Sequence, residues 1–400
     1  MNIIHIEDFF HPDAGYQINI LPKYMVQQGH EVTIITSNMD NAPNDLTGFF
    51  GKEDIDKRDK DYQKKTGVNI IRVKNRGFIS GRAVFTKDLF EVVKNINPDI
   101  LYIHGNDTLT AMRYLLKLKN YNYPIVMDSH MLAMASKNKF NKVFRFIYRN
   151  VFTPIIINKK IPVIRTQDDP YVEKFLNIPL GQSPWISVGS DTLLFYPDKD
   201  IRSEFRKNNN ISDDDFVVVY TGKLDEAKGG MLLANAFEKK FDTNKNVVLI
   251  VVGNSNGEYG EKVEEMFLKS ESRVIRFPTQ KYTELARFYQ ASDLSVFPKQ
   301  CSLSFYDAQA CGLPVVSENN NINIQRLSNN NGRTFVAGDV EDFRMKVLNY
   351  INTPEDEYKQ IRKNAIEYVK TNYNYSDIAN EYIGIIQKEV ERFGGNHSIK

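Results

Sequence analysis

Residues 294–318 read LSVFPKQCSLSFYDAQACGLPVVSE. The apolar run Leu294 to Phe297 is stopped by Pro298, and the small residues Ala308 to Cys311 suit a helix. Gly312-Leu313-Pro314 ends that helix ahead of the β-branched pair Val315-Val316. The stretch therefore predicts strand, loop, helix, strand, the unit of a parallel sheet. Ser304 and Asp307 stand at capping-box spacing, and two uses of that spacing are open. Either Ser304 caps the helix and Asp307 serves its dipole, or the loop turns backbone N–H groups toward a phosphate at the helix N-terminus.

The same alternation extends in both directions. Residues 216–221 read as a buried strand opening into Gly222-Lys223-Leu224-Asp225-Glu226-Ala227-Lys228-Gly229-Gly230, with a helix from Met231; the Lys-Ser/Thr ending of a Walker loop is absent. Residues 247–252 predict a further strand that leaves through Gly253-Asn254, and Arg276-Phe277-Pro278 ends another. The polar residues 203–215 place the hinge between Pro197 and Asp215. In the first half, a strand over residues 2–6, a turn through His11-Pro12-Asp13-Ala14-Gly15, a helix to Gly29 and a strand over 32–36 make a βαβ unit. Its loop has no GxGxxG, which weakens a dehydrogenase reading. Further strands are expected at 69–73, 100–103 and 124–127, the last running into Asp128-Ser129-His130. Ligands of open α/β sheets bind outside the carboxyl ends of the strands. His130 is thus the candidate site residue of this half, with a capped or core histidine as the plain alternative, and His104 is a second candidate.

With 400 residues and 42% apolar content, the chain suits two cores of about 200 residues each. The expected division is residues 1–200, 201–375 and a terminal helix over 376–400. No run of 18 apolar residues occurs, and Glu7-Asp8 follow the first apolar residues at once, so a cytoplasmic location is expected. Two cysteines, Cys301 and Cys311, are too few for a disulfide framework or a four-ligand metal site. The Asp54-Ile55-Asp56 and Asp59-Lys60-Asp61 triplets lie in a polar stretch with no strand leading in, which reads as a solvated loop rather than a metal motif.

Residues 1–197 carry 25 Lys and Arg against 20 Asp and Glu, and residues 101–167 carry 11 against 2. Such a surface meets an acidic partner or an anionic membrane, or it is a solvated face. Between 137 and 165 basic and aromatic residues interleave: Lys139, Lys142, Arg145 and Arg149 flank a helical face of Phe140, Phe144 and Tyr148. That face can lie on the inner face of a membrane or pack into the core. No nucleic-acid-binding pattern accompanies it.

The order Phe297-Pro298, a short loop, Asp307, then Ala308-Gln309-Ala310-Cys311-Gly312-Leu313-Pro314-Val315-Val316 resembles the signature of family 4 (group 1) glycosyltransferases, retaining nucleotide-sugar enzymes of the GT-B fold. The resemblance runs from Asn2 to about Phe393 and is densest between Val217 and Asp339. It implies an α/β chain of two Rossmann-like domains facing each other across a cleft, the first binding acceptor and the second the nucleotide-sugar donor. Residues 222–229 are similar to the family's Gly-Arg-Leu-x-x-x-Lys-Gly loop, with Lys223 for the arginine and Lys228 as the lysine. That match implies two fixed cations that stabilise the departing diphosphate without a metal. Asp307 matches the family's second glutamate, which holds the donor ribose; where the first would stand, eight residues earlier, this chain has Lys299. By the same resemblance Gly15, Gly222, Gly253, Asn254, Phe277, Ser302, Leu303 and Ser304 join Asp307 in donor binding, and His130 lies at the reacting centre. The activity implied is transfer of a hexosyl or related sugar, with retention, to a hydroxyl of a glycan or lipid-linked acceptor in bacterial surface polysaccharide or glycoconjugate synthesis, with no cofactor. The replaced glutamate leaves two other readings: a catalytically silent nucleotide-sugar-binding partner, or a sugar-nucleotide epimerase of similar fold.

Overall fold

The structure, a computed structural model, describes residues 1–48, 50–132 and 141–397. The chain from Met1 to Val188, joined by the chain from Tyr375 onward, forms one unit, and Gly189–Asn374 forms a second. The chain thus leaves the first unit ahead of the hinge expected between Pro197 and Asp215. The first part of that polar stretch belongs instead to the helix Lys199–Asn208, whose N-terminus is capped by Asp198 accepting from the backbone N–H of Asp200 and Ile201. Its charges are the wet side of an amphipathic helix that buries Phe205 and Arg206, a pattern that composition alone cannot tell from a linker.

The first unit carries β1 (Asn2–Glu7), β2 (Glu31–Ser37), β3 (Asn69–Val73), the antiparallel pair β4 (Asn75–Ile79) and β5 (Arg82–Phe85), then β6 (Ile100–Ile103), β7 (Ile125–Ser129) and β8 (Val163–Arg165). Its main sheet has the order β3-β2-β1-β6-β7-β8 and is parallel throughout. The second unit carries β9 (Phe216–Thr221), β10 (Val247–Val252), β11 (Arg273–Phe277), β12 (Leu294–Phe297), β13 (Val315–Glu318) and β14 (Gly332–Phe335). Their order is β11-β10-β9-β12-β13-β14, again all parallel. Helices cover both faces of a parallel sheet, so its strands read as continuous apolar runs, and every residue of β9 is buried. In each unit the winding direction reverses at the middle, between β1 and β6 and between β9 and β12, and loops leaving neighbouring strands diverge there to open a crevice.

Residues 55–66, expected as a solvated loop, form the helix Ile55–Thr66. Its Asp59 is buried in an ion pair with Arg72 of β3 at 2.6 Å, so one carboxylate of the second Asp-x-Asp triplet is structural. The helix Tyr375–His397 packs on the first unit, where Gln17 Nε2 donates to Tyr382 OH at 2.7 Å and Tyr24 stacks on Tyr375. In the second unit, Arg206, 1% exposed, pairs with Asp293 at 2.7 Å and tethers its helix to the strand that follows Asp293.

Candidate functional site

In the second unit the loops that leave β9 and β12 are laced together. Lys228 Nζ donates to Cys301 O at 3.4 Å, and Lys299 Nζ donates back to Glu226 O at 3.1 Å. Lys228 is anchored at its own backbone, whose N–H donates to Asp225 Oδ1 at 2.8 Å. Burial pulls the Lys228 ammonium below its ordinary range, and the nearby Lys223 and Arg326 add to that. The β10 loop closes against the β9 loop: Gly253 has φ +146°, and a Cβ there would lie 1.8 Å from Gly222 O. Only glycine fits that approach. Asn254 ties the same edge to β11, with Asn254 Oδ1 accepting from Thr279 N at 2.9 Å, while the Phe277 ring packs on Phe205 and Phe288. Gly222, Lys223, Lys228, Gly253, Asn254 and Ser302 are therefore gathered at the carboxyl edge of one sheet.

Ser304 and Asp307 are not a capping box. The helix Ser304–Ala310 begins at Ser304 itself, with Leu303 as N-cap and no side-chain cap. A seven-residue helix offers little dipole to an anion. Asp307 is buried and points elsewhere: its Oδ1 accepts from Ser190 Oγ at 2.7 Å and Tyr282 OH at 3.3 Å. Burial outweighs those two bonds and pushes the carboxyl up to about 7. Arg326, which sequence reading did not single out, lies 3% exposed beneath this loop and donates to Ser302 O at 2.9 Å.

In the first unit, Gly15 lies half-buried just before the helix Gln17–Gln27. His130 follows β7 with its side chain 43% exposed, and it meets one group from its own strand and one from beyond β8. Its Nε2 is 3.2 Å from Asp128 Oδ2, and its Nδ1 is 3.3 Å from Thr166 Oγ1. His104, buried after β6, places Nδ1 2.9 Å from the same Asp128 Oδ2 and Nε2 2.9 Å from Nδ1 of His5. Asp128 also accepts from Tyr102 OH at 2.8 Å and from Gly105 N at 2.7 Å. Burial pushes the Asp128 carboxyl up, but His130 and His104 outweigh it and hold the group well below the usual carboxylate range. The ligand atoms of His104, Asp128 and His130 all lie within 4.8 Å of one another. These residues stand apart from any motif in the sequence and converge only through the strand order. His5 carried a signal of its own as the sole polar residue in the interior of β1.

Of the two uses open for the aromatic face of the basic helix, its described residues pack into the core. Tyr148 is buried with its OH bonded to Asn106, and Phe144 packs half-buried on the same core, so these aromatics point inward. Val143, Phe146, Ile147 and Val151 point outward, 61%, 69%, 48% and 41% exposed. A π-helical turn, Tyr148–Phe152, follows the helix Asn141–Ile147. Arg145 stacks 3.8 Å over Phe175, and Arg149 donates to the carbonyls of Phe175 and Lys174, so both serve the fold. Lys142 is exposed; Lys139 and Phe140 lie outside the described residues. Among the described residues no helix is long and apolar enough to cross a membrane.

Two doubly wound parallel units, each with polar groups gathered at its switch point, define the class as GT-B. Residues 201–368, most of the second unit, match the family described as glycosyl transferases, group 1. A probable sucrose-phosphate synthase of Thermosipho melanesiensis is 24% identical over 95% of this chain and 92% of its own. The lipopolysaccharide 1,2-N-acetylglucosaminetransferase of Salmonella typhimurium is 26% identical over 45% of this chain and half of its own length. Among solved structures, a glycosyltransferase of Rickettsia africae superposes with a TM-score of 0.75 at 15% identity, covering 97% of this chain and 98% of that one. Anabaena HepE in complex with UDP and glucose gives 0.72 at 16% identity, covering 97% and 100%.

Proposed function

We propose that this protein is a retaining glycosyltransferase that moves a sugar from a nucleoside diphosphate donor to a hydroxyl of a glycan or lipid-linked acceptor. The observation that carries the reading is the laced pair of loops at the β9/β12 switch point, where Lys228 is held half-buried beside Lys223. Negative charge builds on the diphosphate as the glycosidic bond breaks, and fixed cations in a partly desolvated edge stabilise it most where it develops. In the second unit the Gly253 loop takes the nucleoside and Lys223 and Lys228 the diphosphate; His130 of the first unit serves turnover, as the family resemblance implies. The departing phosphate itself accepts the acceptor proton, so the protein supplies position and charge rather than a base. No divalent metal is needed for this chemistry, and activity survives EDTA. The group 1 match over residues 201–368 and the transferase relatives favour this reading over an epimerase.

The acceptor belongs to bacterial surface polysaccharide or glycoconjugate synthesis, and the enzyme works from the cytoplasmic side at an anionic membrane. The outward stripe of Val143, Phe146, Ile147 and Val151 beside Lys142 supports the last point. A screen of nucleotide sugars for thermal stabilisation and turnover tests the function. Stabilisation by a UDP-, ADP- or GDP-sugar with transfer to an added acceptor is expected. Stabilisation without turnover on any acceptor instead identifies a silent binding partner.

A further inference from the structure

The geometry of the first unit's switch point points to a cation. We propose that His104, Asp128 and His130 form a binding site for a divalent transition metal of the zinc class, with one coordination position open to solvent, and that occupancy withholds His130 from turnover. Three chain segments, after β6, at the end of β7 and beyond it, supply two imidazole nitrogens and one carboxylate oxygen within 4.8 Å. A tetrahedral zinc with bonds of about 2.0 to 2.1 Å needs its ligand atoms about 3.3 Å apart. The two nitrogens already stand 2.9 and 3.2 Å from Asp128 Oδ2, close to the spacing such an ion needs on those two edges.

Each ligand also has the outer partner that metal ligands require, because a metal-bound imidazole donates its other N–H and a bound carboxylate is itself held. Thr166 Oγ1 donates to Ser129 O at 3.1 Å and so accepts from His130 Nδ1, which turns Nε2 toward Asp128. His104 Nε2 has His5 Nδ1 at 2.9 Å as its acceptor, leaving Nδ1 for the ion. Asp128 is gripped at Oδ1 by Gly105 N, and its Oδ2 shares its lone pairs between Tyr102 OH and the incoming cation. A bound metal takes ligand lone pairs and displaces any proton held on them. His130 is 43% exposed and His104 and Asp128 are buried, so the free coordination position lies on the His130 side and takes water. Cation binding does not depend on the sugar-transfer reading, whereas the loss of turnover does.

The test is equilibrium dialysis of the full chain against Zn²⁺ with bound metal counted, supported by the visible absorption of the Co²⁺ form. One zinc per wild-type chain is expected, with Mg²⁺ failing to compete because imidazole ligands suit zinc and not magnesium. Thr166→Val weakens binding roughly 10- to 100-fold, and His130→Gln, at the exposed end of the set and checked for folding by its melting curve, weakens it further. Zinc stops turnover and EDTA restores it. Absence of stoichiometric zinc, or a His130→Gln chain that binds as tightly as wild type, overturns the site. Zinc bound at full occupancy with turnover unchanged overturns the inhibition.

Discussion

Ser190, the second residue of the second unit, donates its hydroxyl to Asp307 Oδ1 at 2.7 Å, so the chain that enters this unit holds the buried carboxylate of the helix Ser304–Ala310. Asp307 keeps its proton up to about pH 7, where the unfolded chain has lost it near 3.8. The native state binds the extra proton between those values, so this group's contribution to stability is full below about 4, falls as pH rises toward 7 and is flat above. The gap amounts to roughly 4 kcal/mol at most. Urea unfolding of wild type and Asp307→Asn at pH 5 and pH 8 reads this out. Wild type should lose stability relative to the variant between the two, and parallel pH dependence in both chains contradicts it.

Lys228 is expected to act on the transition state rather than on the fold, since its Nζ has a single long backbone partner. Lys228→Ala should lower kcat by about 30- to 1000-fold, corresponding to the roughly 2 to 4 kcal/mol of a lost charge-stabilising donor. The melting temperature should barely move. Wild-type turnover in the variant removes Lys228 from the site.

Arg206 is the opposite case, a buried cation whose work is structural. Arg206→Leu leaves the Asp293 carboxylate with Arg202 and Val217 N alone and should destabilise the second unit by about 3 to 5 kcal/mol. Denaturant titration measures this, and a loss below about 1 kcal/mol shows that Arg202 suffices.

The membrane face and the core face of the basic helix separate by mutation. Phe146→Ser with Ile147→Ser should abolish co-sedimentation with anionic vesicles at low salt while leaving stability within about 0.5 kcal/mol, since both side chains are exposed. Tyr148→Phe should do the reverse, costing about 1 to 3 kcal/mol because buried Asn106 loses its partner, with vesicle binding unchanged. A wild-type chain that stays in the supernatant dismisses the membrane surface.

Sequence periodicity was enough for the two parallel α/β units, because strands buried on both faces must be apolar throughout and glycine must end them where loops touch. The runs 216–221, 247–252 and 294–297 are observed strands at those residues, and Gly253 is required by a contact with Gly222 O that no other residue permits. The lysine loop at 222–229 was legible for the same reason: glycine and charge after a buried strand mark an exposed edge. Amphipathic helices were harder, since residues 203–215 and 41–66 show few apolar positions, and a single buried face on each was enough to fold them. Tertiary structure alone decided that the face of Phe144 and Tyr148 turns inward, because an aromatic stripe flanked by basic residues reads the same whether a core or a membrane covers it. It alone decided that Ser304 starts a helix without capping it and that Asp307 answers to Ser190, 117 positions away. It also brought His5, His104, Asp128 and His130 together, since strand order, which no local pattern encodes, sets which strand ends are neighbours.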